Sequence, residues 1–186
     1  MNIDQRWALL GFPLAGLVSA TLSLKSRYAC FLDPLGSLEF GFLLAICFCV
    51  FFGVRSLSKA LVFIFASTAS AYLSIWSAVL VLGRLGDNPT YLPETFVGGY
   101  VGAFVILLTA VLLVAPDIEL LLALVRSFSW ALTGGLLAVI GRAAGPMFHD
   151  LRMQLDRGLP DSDFSLILVW KIGTAFVVAL LILTLK

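Results

Sequence analysis

Charge is what this sequence has least of. Asp, Glu, Lys and Arg make up 12% of its 186 residues, against about 25% in an ordinary soluble domain. That scarcity excludes several classes together. With a net charge of +1 and no cluster of four or more basic residues, no field draws in nucleic acid, and no nucleic-acid partner is expected. The single histidine, His149, makes neither a zinc site nor a catalytic pair by itself and reads as a surface residue. The three cysteines, Cys30, Cys47 and Cys49, have neither redox C-x-x-C spacing nor a metal-ligand pattern, and they read as apolar thiols. Also missing are a G-x-S-x-G elbow, an H-E-x-x-H zinc helix, a phosphate-binding glycine loop and a pair of aspartates within apolar segments. No cofactor and no metal is expected, and an enzyme is the less favoured class.

What the sequence has instead is hydrocarbon. Some 61% of its residues are hydrophobic, and a soluble fold of this size, with so large a surface fraction, has no place to bury them. The excess faces lipid. Six runs approach the roughly 20 apolar residues that cross a bilayer core: Trp7–Leu24, Leu38–Val54, Ala60–Gly83, Thr95–Ala115, Ile118–Gly141 and Phe164–Leu185. They are continuously apolar rather than alternating, which excludes a β-barrel pattern, and backbone groups in lipid must be satisfied within the segment. The expected fold is therefore all-α, a polytopic transmembrane helical bundle forming a single membrane domain over residues 1–186. The first run continues too long for a signal peptide and reads as a retained span. Pro146 as a helix start and Gly158-Leu159-Pro160 as a stop frame a short interfacial helix near 146–157, with Arg152 and Asp156 as an i,i+4 pair.

The fifth run must tolerate Arg126. A central arginine costs about 2.5–3.5 kcal/mol on insertion scales. The twelve Leu, Ile, Val and Phe residues between Ile118 and Gly141 return roughly 4–7 kcal/mol. The span survives. Orientation follows from the basic residues. Lys25, Arg27, Arg84, Arg142, Arg152 and Arg157 fall on one side, while Arg6, Arg55, Lys59 and Lys186, with Arg126 when it snorkels, fall on the other. The positive-inside rule places the first group in the cytoplasm of a cell-membrane protein and both termini on the non-cytoplasmic side. Gly83-Arg84 and Gly141-Arg142 recur at an offset of 58 residues; an ordinary way of ending a span accounts for this better than an internal repeat.

Small residues recur at helical spacing: Gly11, Ala15, Ser19 and Ser23; Gly98 and Gly102; Ser127, Ala131 and Gly135. Such seams let helix backbones approach in lipid. Ser67, Ser70, Ser74 and Ser77 form a further stripe, which Arg84 extends towards the surface. Its hydroxyls either tighten a helix contact by bonding back to carbonyls or line a polar path. Ionisable groups at depth are functional candidates. Glu119 and Arg126 share a face of the fifth run, and Lys171 lies two turns past Asp163 in the sixth. Snorkelling is the plain reading of Arg126 and Lys171; a counter-charge for an anionic solute or head group is the functional one. Glu39 and Glu94 open the second and fourth runs and read as helix-start acids.

In length and helix count, though in no motif, the chain is similar to the substrate-binding subunits of energy-coupling-factor vitamin transporters. The leading expectation is small-solute transport, alone or as a membrane subunit of a transport complex. The alternatives are an assembly partner of another membrane protein and an intramembrane enzyme acting on lipid. The expected partners are the lipid bilayer and another membrane protein or a second copy.

Overall fold

The computed structural model describes residues 5–25, 34–85, 91–155 and 160–185. A 3-10 turn, Gln5–Trp7, leads into α1 (Ala8–Lys25), followed by α2 (Pro34–Phe52), α3 (Leu57–Leu85), α4 (Leu92–Val114), α5 (Leu120–Ala143), α6 (His149–Leu155) and α7 (Asp161–Thr184). No strand occurs among the described residues. Five helices (α1, α3, α4, α5 and α7) are long and apolar enough to cross a membrane, and α2 contributes the shorter apolar stretch Ser37–Phe52. The protein is a transmembrane-type helical bundle.

Local chemistry sets the helix ends. The Ser56 hydroxyl accepts the backbone N–H of Lys59 at 3.4 Å and caps α3. Gly53, at φ +69°, takes the left-handed turn that ends α2, and Val54 N–H donates back to the Phe48 carbonyl. Two expected helix starts shift. Helix α2 begins at Pro34, so Glu39 lies in its second turn rather than at its start. The segment near 146–157 is not one helix opened by Pro146. Gly145–Phe148 forms a 3-10 turn, and the α-helix starts only at His149. The cause is close packing: a Cβ on Gly145 would lie 2.8 Å from the Ser162 nitrogen, so the turn sits directly on the start of α7. Asp156, the expected partner of Arg152, lies outside the described residues, as do Arg27, Cys30, Gly86–Pro89 and Arg157.

The long helices close into a ring in the order α1, α2, α3, α4, α5, α7 and back to α1, with α4 and α7 also touching across it. Helix α7 is the most enclosed, 61% of its span being buried, and α3 the least, at 17%. The outward side chains of α3 are oily: Phe65 is 67% exposed and Trp76 65%. Water would not tolerate that surface, and lipid solvates it.

The half of the ring that holds the α2–α3 turn is solid. Phe12, Phe48 and Phe63 meet edge to face there, at 5.1 and 4.9 Å between centroids. Leu107 and Val111 of α4 and Val178 and Leu181 of α7 belong to the same core. Backbone approach is closest at two seams. A Cβ on Gly134 of α5 would lie 2.2 Å from that of Ala103 on α4, and one on Gly16 of α1 would lie 2.7 Å from the Lys171 carbonyl of α7. Small residues are obligatory at both positions.

Overpacking a closed seam costs about 1–3 kcal/mol or more. We therefore expect Gly134→Ile to lower the melting temperature of the detergent-solubilised protein by several degrees. Gly83, with nothing within 4 Å of its would-be Cβ, should accept alanine at no cost. Equal losses from the two variants would contradict the seam assignment.

Candidate functional site

Opposite the aromatic core, the ring encloses a cavity of about 400 Å³, at the small end of the range for ligand sites. All six helices of the ring line it, mainly with the half that faces the α1–α2, α3–α4 and α5–α7 connections. Ser23 comes from α1, Phe40 from α2, Ser67 through Val79 from α3, Glu94 through Gly99 from α4, Ala138 and Arg142 from α5, and Asp163 through Lys171 from α7. The cavity is thus built at one end of the bundle, and its wall is mostly apolar.

The serine stripe divides between the two roles weighed for it. Ser67, Ser70 and Ser74 line the cavity, whereas Ser77 does not. Ser74 donates across to the Gly98 carbonyl of α4 at 2.7 Å, and Ser67 to the Ser37 carbonyl of α2 at 3.3 Å. Ser70 and Ser77 donate within α3, to the carbonyls of Ser67 and Ser74. One row of hydroxyls therefore both fastens α3 to its neighbours and lends polarity to the wall. Arg84 does not continue the row into the site. It is exposed and lies outside the lining, because α3 runs on beyond the cavity.

Lys171 corrects the sequence reading most. It does not snorkel to a surface. As the eleventh residue of α7 it sits about 15 Å along the helix, near mid-depth, and it is only 8% exposed. Its Nζ donates to Ser19 Oγ at 3.0 Å and Ser23 Oγ at 2.6 Å on α1, and lies 5.7 Å from the centre of the Phe40 ring. Because α7 is enclosed, the side chain has no lipid-facing route. The α1 serines, read only as a packing seam, serve as its hydroxyl partners.

Arg126 and Glu119 are not part of the site. Glu119 is exposed immediately before α5, Arg126 is half-buried towards the same end, and no ion pair joins them. The convergence of both with a hydroxyl, which a lipid-acting enzyme would call for, is not found in this cavity. Arg142 takes the place that Arg84 was expected to hold. It reaches Asp163 at 3.8 Å and Thr95 Oγ1 at 3.4 Å, and stacks 5.3 Å from the Tyr91 ring centre. Asp163 and Arg142 are about one-third exposed and form the rim. The environments of Gly83-Arg84 and Gly141-Arg142 differ, since Gly83 is open while Gly141 packs on Leu166; the two pairs are not equivalent members of a repeat.

Glu94 was read as a helix-start acid, yet it makes no capping bond. It is 6% exposed, it lines the cavity, and neither carboxylate oxygen has a hydrogen-bond partner. A signal for this existed in the sequence: Glu94, Gly98 and Gly102 recur at four-residue spacing, so Glu94 shares the inward seam of α4. Trp170, which donates its indole N–H to the Gly99 carbonyl at 3.3 Å, packs beside that seam.

Outside the cavity, Asp161 at the start of α7 binds both His149 (Nδ1 to Oδ2, 2.9 Å) and Arg152 of α6. His149 is a surface residue with its side chain 54% exposed, and it helps tie α6 down. Cys47 is buried and Cys49 exposed, and the two point to different sides of α2. No family model, curated protein or solved structure matches the chain.

An ammonium at depth depends on its acceptors, and losing the partner of a buried charge costs more than replacing the charge with a hydrocarbon of similar volume. Ser19→Ala/Ser23→Ala should therefore reduce thermal stability, and adding Lys171→Met to that background should recover part of the loss. A triple variant less stable than the double would refute the assignment of the two hydroxyls as partners.

Proposed function

We propose that this protein binds a small solute within the membrane and passes it across the bilayer, alone or as the membrane subunit of a transport complex. One observation carries the reading: a cavity of about 400 Å³ inside the bundle, whose wall includes the buried Glu94 with an unpartnered carboxylate, together with hydroxyls and the buried Lys171. Packing alone would fill such a space with apolar side chains, because polar groups in lipid are costly. The mostly apolar wall with a few convergent polar groups has the character of a ligand site. The solid aromatic half across the ring supports access from one side only.

The side of access in this reading is the one bearing Arg84, Arg142 and Arg152, which the positive-inside rule makes cytoplasmic in the cell membrane, with both termini outside. Assembly with another membrane protein or a second copy is a second reading. It is favoured by α3, whose span is 17% buried.

Two substitutions test solute binding. Ala71 lines the cavity, so Ala71→Phe should occupy it and abolish thermal stabilisation by any ligand found in a metabolite screen, while Arg126→Ala should leave that stabilisation unchanged. Sidedness is read by single cysteines in a cysteine-free background. A membrane-impermeant thiol reagent should label Ser70→Cys from the cytoplasmic face only and should not label Phe63→Cys from either face. Labelling of both positions alike, or of neither, would remove the basis for one-sided access.

A further inference from the structure

We infer that the solute is a compact organic cation, an amine with an apolar body, and that Glu94 is the group that takes its ammonium. This deepens the reading above and rests on it. Among the charged groups lining the cavity, the cations are already engaged. Arg142 is shared by Asp163, Thr95 and the Tyr91 ring, and Lys171 is held by Ser19 and Ser23. The serine hydroxyls Ser67, Ser70 and Ser74 each spend their proton on a backbone carbonyl. The Trp170 indole N–H is spent on Gly99. Glu94 differs from all of these: it is buried in the cavity wall, and both of its oxygens lack a donor.

An acceptor with no donor in the protein is matched by a guest that brings donors of its own, and a primary ammonium brings several together with the opposite charge. The remainder of the wall fits the remainder of such a molecule. Ile75, Ile106, Leu166 and the ring of Trp170 give the same cavity apolar and aromatic surface, and an aromatic face also favours a cation over an anion. An anionic guest would meet the carboxylate head on. A neutral guest of the same shape would leave it unanswered, and unanswered buried polar groups are what give hydrogen-bonding sites their selectivity.

Equilibrium dialysis of the purified full chain in detergent against tritiated phenethylamine tests this. Unlabelled 2-phenylethanol and 3-phenylpropionate serve as competitors carrying neutral and anionic heads. We expect saturable amine binding, with both competitors weaker than unlabelled amine by about tenfold or more, since a charge-assisted hydrogen bond is at stake. Glu94→Gln should weaken amine binding by a similar factor and narrow the gap between amine and alcohol, whereas Glu94→Asp should keep the preference for amine. The competition series on the unmodified chain decides the matter even where a variant fails to fold. Equal competition by the alcohol or the acid, or unchanged amine affinity in a folded Glu94→Gln, overturns the cation assignment and leaves the solute-binding reading standing. Absence of saturable binding by all three compounds, the alcohol and the acid then supplied in tritiated form as well, overturns both.

Discussion

Inside a bilayer a polar group has no water to fall back on, so its partner has to be built into the protein. That constraint organises this bundle. The α3 serines answer carbonyls on α2, on α4 and on α3 itself. Lys171 of α7 is answered by α1, and Arg142 of α5 by α4 and α7. Each of these ties crosses a boundary between neighbours in the ring or lies along one. The polar interactions and the small-residue seams therefore reinforce the same contacts. Where the ties converge the ring stays open around a cavity, and where they are absent phenylalanines fill it.

That division gives the molecule two unlike ends. At one, aromatic edge-to-face pairs and aliphatic side chains from α4 and α7 leave no room for a guest. At the other, the early turns of α2, α4 and α7 meet the last turns of α1 and α5 and the middle of α3 around polar side chains. The transport proposed above would require the two ends to exchange these roles. The glycine seams, at which backbones slide without interlocking side chains, are the places where such an exchange meets least resistance.

Much of the architecture could be read from the sequence. Continuous apolar runs located the long helices to within a few residues, because hydrocarbon length is a hard requirement in lipid. The serine stripe was visible as a stripe, though its double use was not, since the carbonyls of Ser37 and Gly98 that receive Ser67 and Ser74 are brought close only by tertiary packing. Lys171 was misjudged for a related reason. Snorkelling assumes a helix with a lipid-facing side, and nothing local in α7 announces that neighbours enclose it. Glu94 does stand in the first turn of α4, as read, but that position offered a sufficient local explanation and hid its burial in the cavity wall, to which its spacing from Gly98 and Gly102 pointed. The start of α6 was misplaced because the contact of Gly145 with the Ser162 backbone is a long-range fact. Local rules located the elements; which side chains converge was set by how the ring closes.

The length of α3 has a mechanical consequence. Its 29 residues rise roughly 43 Å, against a hydrocarbon core of about 30 Å. Even at the steep end of observed helix tilts, about 40°, such a rod still climbs about 33 Å along the membrane normal. Leaning alone does not hide it, so its ends, which carry Lys59 and Arg84, reach the head groups. A thicker or thinner bilayer would bear on that overhang directly. Membrane thickness thereby becomes a load on the helix that carries the serines.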